Sequence, residues 1–203
     1  MLTVISGGSG SGKSAYAENY ICDIVSKYDR CNKYYIATMK VYDDEGQKKV
    51  ERHRSLREGK SFVTIEQPND IEKIPLKLIN KENIDLNKSY CSTFEQNTIC
   101  NNIALLECMS NLVANEMFTT DENGQSKIIP PSAVCNIIIS GIETINKCLD
   151  DLVIVTNNVF EDGVLYDDTT MQYIEALGLV NQQIATMADH VIEVVVGIPV
   201  VIR

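Results

Sequence analysis

The sequence predicts an α/β fold of three layers, with a mostly parallel sheet between helices and a C-terminal antiparallel edge hairpin. Three observations predict it. Residues Gly7-Gly8-Ser9-Gly10-Ser11-Gly12-Lys13-Ser14 read Gly-x-x-x-x-Gly-Lys-Ser, a complete phosphate-binding loop. Strand-length apolar runs that end in polar or acidic residues alternate with helix-length segments, the pattern of β-α-β units. The chain closes on Val191 to Val196, a Gly197-Ile198-Pro199 turn and Val200-Val201-Ile202, which read as a hairpin at a sheet edge.

The loop stands in the context that gives it meaning. Before it runs Leu2-Thr3-Val4-Ile5, short and apolar; after it, Ala15 to Ile21 carries no helix breaker. A strand, a glycine-rich turn and a helix start make the arrangement P-loop NTPase-like. Glycines let successive N–H groups turn inward on an anion, and the helix N-terminus adds its positive dipole end. Gly7, Gly8, Ser9, Gly10, Ser11 and Gly12 are therefore expected to cradle phosphates. Lys13 is expected to reach the outer phosphates and Ser14 to ligate Mg²⁺. A glycine-serine turn that binds nothing has no need of Lys-Ser after its last glycine.

The 203 residues suffice for one domain, with an irregular insertion expected at about 80–102, rich in Asn, Lys and Ser. A net charge of −10 argues against nucleic-acid and anionic-membrane partners. Anionic substrates must then be drawn in by local positive charge. The seven cysteines form no Cys-x-x-Cys pair, which suggests reduced thiols and a cytoplasmic protein. No apolar run reaches membrane-spanning length, and a strand starting at residue 2 leaves no room for a leader peptide.

In chain order, the first helix is expected from Lys13 to about Lys27. Tyr34-Tyr35-Ile36-Ala37-Thr38 reads as a strand, and Thr38 should face the ligand, because ligands gather at the carboxyl ends of strands in such sheets. Asp43-Asp44-Glu45 suits a helix start and Gly59 a stop. On that helix Lys49, His53 and Arg57 fall one turn apart on one face, with Arg54 at its edge. A histidine among cations is held below its reference pKa of about 6.5, neutral and nucleophilic. On spacing alone, a solvated basic face with an incidental histidine is the plainer account. Phe62 to Glu66 reads as a strand, and 69–79 has room for a helix that Pro75 interrupts.

Ile103-Ala104-Leu105-Leu106-Glu107-Cys108 reads as a buried strand ending in an acid, the pattern of a Walker B strand, with Glu107 placed to hold Mg²⁺ opposite Ser14. Met109 to Met117 reads as a helix and Thr119 to Pro131 as a loop. Ser132 is expected to cap a helix over 133–149. Asp151 to Asn157 reads as a strand, 158–168 as an acidic loop and Thr169 to Met187 as the last helix. His190, at the start of the final long strand, reads as structural.

Several of these segments together resemble one family. They are Gly7 to Ser14 with Ala17-Glu18, Tyr35-Ile36-Ala37-Thr38, Glu45 with His53-Arg54 and Arg57, and Thr64-Ile65-Glu66-Gln67-Pro68. Leu105-Leu106-Glu107-Cys108 with Asn115, Asn181-Gln182, Ala188 to Val191 and Gly197-Ile198-Pro199 complete the set. The family is that of the bifunctional adenosylcobinamide kinase / adenosylcobinamide-phosphate guanylyltransferases of cobalamin synthesis. The resemblance implies phosphorylation of adenosylcobinamide by a nucleoside triphosphate, GTP and/or ATP. It then implies transfer of GMP from GTP through a guanylyl-histidine, giving adenosylcobinamide-GDP. By resemblance His53 is the histidine that carries GMP, Lys13 is catalytic, and Thr38, Lys49, Arg54, Arg57, Glu66 and Glu107 join the loop in binding nucleotide. Ser14 and Glu107 hold Mg²⁺, and members assemble as homo-oligomers, as trimers.

The chain also departs from the family's pattern. Asn158, Phe160 and Asp162 replace a glutamate and two glycines, Gly10 replaces an arginine, and the arginines usual near Asn181 are absent. These departures keep two alternatives open: a P-loop kinase or nucleotidyltransferase of altered specificity, and a degenerate, non-enzymatic GTP-binding relative.

Overall fold

The computed structural model describes residues 1–28, 31–41, 44–75, 101–121 and 124–203, leaving aside the side chains of Lys49 and Leu56. Most of the expected insertion, and Asp43, lie outside the described residues.

The strands are β1 (Leu2–Ser6), β2 (Cys31–Ala37), β3 (Val63–Glu66), β4 (Asn101–Glu107), β5 (Phe118–Thr120), β6 (Ser126–Ile128), β7 (Asp151–Val155), β8 (His190–Val195) and β9 (Ile198–Val201). The helices are α1 (Lys13–Val25), α2 (Asp44–Arg57), α3 (Met109–Met117), α4 (Pro131–Asn146) and α5 (Asp168–Met187), with a 3₁₀ turn at Ile71–Lys73. Seven strands form one sheet in the order β3-β2-β4-β7-β1-β8-β9. All pairs are parallel except β8–β9.

Alternation along the strands fills both faces. Tyr34, Ile36, Ala104, Leu106, Leu152 and Ile154 pack against α3, α4 and α5. Tyr35, Ile103, Leu105, Val153 and Val155 face the other way, against Ala17, Ile21 and Ile24 of α1. Both sides being covered, the strands read as near-continuous apolar runs. Helix α2 carries Asp44 and Glu45 in its first turn and Arg54 and Arg57 in its last, which complements its dipole.

Four expectations change. Asn101 and Asn102 extend β4, in register with Cys31 and Asn32, rather than closing the insertion. The expected loop at 119–131 contains the β5–β6 hairpin, with Phe118 opposite Ile128. Helix α4 starts at Pro131 after Pro130, so Ser132 lies within it; a proline without an N–H is suited to the first helical position. The final hairpin turns at Val196 and Gly197, both at positive φ (51° and 79°), the two-residue geometry that matches strand twist. Pro199 therefore sits in the edge strand, where its missing donor costs no ladder bond.

Candidate functional site

The phosphate loop is held by its backbone. A Cβ on Gly7 would stand 2.6 Å from the Val194 carbonyl oxygen and 2.5 Å from Ser11 Oγ, so the close approach of β1 to β8 admits only glycine. Gly12 precedes α1 at φ +89°, a left-handed conformation that strains other residues. The Ser11 N–H donates to the Gly8 carbonyl (3.2 Å), as does Lys13 Nζ (3.1 Å). Two neighbours brace the loop: the Gly197 N–H donates to the Ser11 carbonyl (2.8 Å) and the Asn158 N–H to the Gly7 carbonyl (3.1 Å). Among the described residues no side chain caps α1, which leaves its first-turn N–H groups for an anion. Burial pushes the Lys13 ammonium below its ordinary pKa, opposed by the charges of Cys108 and Glu107.

Facing the loop is a cluster of side chains from separate segments. The parallel pairing of β2 and β4 brings Tyr35 to the site of Glu107, and the Tyr35 hydroxyl donates to Glu107 Oε2 (3.0 Å). Burial, then the Glu107 charge, push the Tyr35 phenol far above its usual range, so it stays a donor. The other oxygen, Glu107 Oε1, lies 3.8 Å from His53 Nδ1 on α2. Arg57, one turn further along α2, stacks 3.5 Å from the centre of the Tyr35 ring. Glu18 of α1 is fully buried, and its Oε2 accepts from Lys60 Nζ at 2.7 Å. A cavity of about 80 Å³ beside the cluster is lined by Val50, His53, Arg57, Glu107 and Asn111, among others.

A larger cavity of about 850 Å³ opens on the other flank of the loop. Gly8 to Ser11 form one wall; Asn158, Val159, Glu161, Asp162, Tyr166, Tyr173, Ile174 and Glu193 are among the rest. Asp162 orders the 158–168 loop, accepting from the Val164 N–H (3.0 Å) and from the Tyr166 hydroxyl (2.6 Å). Asp167 caps α5 through its side chain, accepting from the Thr169 and Thr170 N–H groups. Gly163, not Phe160 or Asp162, takes the positive φ in this loop. Burial pushes the Tyr173 phenol up to about 12, and its hydroxyl donates to the Ser110 carbonyl.

His53 and Arg57 share a face of α2, both lining the small cavity with Val50. Arg54 points outward and forms an exposed pair with Glu66 at 3.5 Å. The Lys49 side chain is outside the described residues. The Thr38 hydroxyl is spent on backbone: it accepts from the Cys108 N–H and donates to the Cys108 carbonyl, both at 2.8 Å. Asn115 ties the same strand ends, donating to the Thr38 and Pro68 carbonyls. The spacing on α2 places His53 among cations; of these Arg57 lines the same cavity, and the carboxylates of Glu107 and Glu18 stand near the imidazole as well. Glu18, Tyr35 and Lys60 enter the cluster without having been assigned there. For Glu18 a signal existed, since it lies one helical turn beyond Ser14.

Among known proteins, the family model described as cobinamide kinase / cobinamide phosphate guanyltransferase matches residues 3–202. The bifunctional adenosylcobalamin biosynthesis protein CobU of Escherichia coli (strain K12) is 29% identical over 207 aligned positions that span the whole of both chains. The protein of the same name from Salmonella typhimurium (strain LT2) is 26% identical, also over the whole of both chains. Of solved structures, a KaiC-like protein from the hyperthermophilic archaeon Pyrococcus horikoshii is similar at a TM-score of 0.48 and 10% identity, covering 95% of this chain and 69% of that one.

Proposed function

The chain belongs to the cobinamide kinase / cobinamide phosphate guanyltransferase family, and we propose that it performs both transfers at the phosphate loop, the second through GMP carried on His53. In the first reaction the hydroxyl oxygen of adenosylcobinamide attacks the γ-phosphorus of a nucleoside triphosphate. The bond to the β–γ bridging oxygen breaks and the diphosphate leaves. In the second, a His53 ring nitrogen attacks the α-phosphorus of GTP and pyrophosphate leaves. A phosphate oxygen of adenosylcobinamide phosphate then attacks the same phosphorus, and the phosphoramidate P–N bond breaks.

The observation that carries this reading is the placement of His53. Its imidazole lies 3.8 Å from Glu107, and Glu107 acts on the buried charge of Lys13. The imidazole is thus on the α1 face, at the carboxyl end of the sheet. Lys13 and the loop amides would hold the outer phosphates, and Arg57 would screen charge beside the cluster. Ser14 and Glu107 offer hard oxygen donors of the kind Mg²⁺ takes, and the ion would neutralise charge on the transferring phosphates. Lys49 is also a proposed nucleotide contact; Arg54, Glu66 and Thr38 are proposed contacts that would first have to exchange the partners they hold here, Arg54 and Glu66 each other and Thr38 the Cys108 backbone.

The large cavity beside Gly8 to Ser11, with Val159, Ile174 and Tyr166 in its walls, suits a nucleoside or the aminopropanol arm of the acceptor. Its acidic residues favour a second, narrower reading, a transferase of altered acceptor specificity. A cytoplasmic homo-oligomer, a trimer by resemblance, is also proposed. Self-association is supported by the open edge of β9, where Ile198 and Val201, with Ile202 just beyond the strand, are more than half exposed (66%, 71% and 61%). No described helix is long and apolar enough to cross a membrane.

The test is incubation with GTP labelled at the α-phosphate, followed by denaturation. Label stable to base, released by acid and absent from His53→Ala is the expected result. No covalent label on a protein that still binds GTP would defeat the guanylyl-histidine. Label that never passes to adenosylcobinamide phosphate would favour altered specificity.

A further inference from the structure

The cluster around His53 has a feature that nucleotide transfer does not require. Glu18, His53 and Glu107 each offer a ligand atom, and the three atoms lie within 4.8 Å of one another. Each carboxylate has one oxygen engaged by a neighbour: Glu18 Oε2 by Lys60 and Glu107 Oε2 by Tyr35. Among the described residues, Glu18 Oε1, in a fully buried side chain, has no hydrogen-bond partner, and neither has the buried Nδ1 of His53. A buried carboxylate oxygen left unsatisfied is costly, and this one belongs to a carboxylate that comes within 4.8 Å of a His53 nitrogen and a Glu107 oxygen.

We propose that Glu18, His53 and Glu107 form a site for a divalent transition-metal ion of the zinc, cobalt or manganese class, which clamps α2 to the sheet in the nucleotide-free protein. One imidazole and two carboxylates suit such ions better than Mg²⁺, which prefers an all-oxygen octahedron. Tetrahedral ligands at about 2.1 Å stand roughly 3.4 Å apart, so His53 and Glu107 at 3.8 Å need only a small adjustment. Lys60 and Tyr35 are the outer partners that orient such ligands. The adjacent cavity of about 80 Å³ has room for water on an open coordination position.

Glu107 is shared with the proposed Mg²⁺ pair, so the two ions exclude one another. Metal at this site also ties up a His53 nitrogen. The clamp's effect on chemistry rests on the guanylyl-histidine reading; its existence does not, and its test contains no nucleotide. Full-length protein is stripped with a chelator and titrated with Co²⁺ while visible absorption is followed. The expected result is one Co²⁺ per chain without a thiolate charge-transfer band. Binding should be weakened in His53→Gln and in Glu18→Gln by more than the roughly 10–100-fold that loss of an outer partner costs, and be unchanged in His190→Gln. His53, 32% exposed, belongs to neither core cluster, so His53→Gln decides the matter even if Glu18→Gln fails to fold. No bound Co²⁺, binding indifferent to His53→Gln, or a thiolate band that puts the ion on Cys108 would overturn the proposal.

Discussion

At the phosphate loop, Gly7 to Ser14 are consecutive, and backbone amides with one lysine do the binding. Across from it, the His53 cluster draws Glu18 from α1, Tyr35 from β2, Arg57 from α2, Lys60 from the α2–β3 connection and Glu107 from β4. The loop's shape depends on close approaches, such as Gly7 against the Val194 carbonyl. The cluster's shape depends on side-chain pairs across the sheet, such as Tyr35 with Glu107. The first is a local device that the rest of the chain braces; the second exists only when β2, β4, α1 and α2 are all packed.

The largest expected effect would separate the two regions by reaction. His53→Ala should abolish acid-labile GMP labelling while phosphorylation of adenosylcobinamide, which the loop performs, continues. Loss of both activities would break the comparison by making the histidine part of the loop's chemistry. Lys13→Ala should lower both transfers by about 10²–10³-fold, the usual cost of removing one preorganised charge donor, measured as steady-state rates of each half-reaction. Tyr35→Phe keeps the ring under Arg57 but leaves Glu107 Oε2 unpaired. It should cost about 1–3 kcal/mol of stability in a thermal or denaturant melt, with nucleotide affinity little changed.

The smallest effect concerns pH. Burial lowers the Lys13 pKa below 10.5. Between the lowered folded value and 10.5 the unfolded chain holds more protons, so this group's contribution to stability rises with pH there. Triphosphate binding needs the charged amine and should run the other way, weakening in that alkaline window and taking up a proton. Calorimetry in buffers of different ionisation heat would show the uptake; pH-independent affinity up to pH ~10.5 would contradict it.

Periodicity and turn residues made the strand-helix alternation readable. Runs such as Ile103 to Leu106 and Val153 to Val155 are apolar throughout because both faces are covered. The β5–β6 hairpin was missed because its strands are three residues each and mostly exposed, without alternation to mark them. Ser132 is a good capping residue, yet Pro130 stands at the N-cap and Pro131 opens the helix, so the serine falls inside it. Asn101 and Asn102 looked like insertion because polar residues carry no strand signal, yet register with β2 holds them in β4.

What the amino-acid sequence determined by itself is the phosphate loop, its strand and helix, and the order of the elements. Those rest on neighbours along the chain, where glycine placement and hydrophobic spacing act directly. Only the tertiary structure decided that His53 meets two carboxylates, that Thr38 spends its hydroxyl on Cys108, and that Arg54 turns outward to Glu66. Helical spacing puts His53 and Arg57 on one face of α2, but it cannot say what that face meets. The answer depends on how α2 packs on α1 and on the β2–β4 register, which link residues up to 89 positions apart, Glu18 to Glu107.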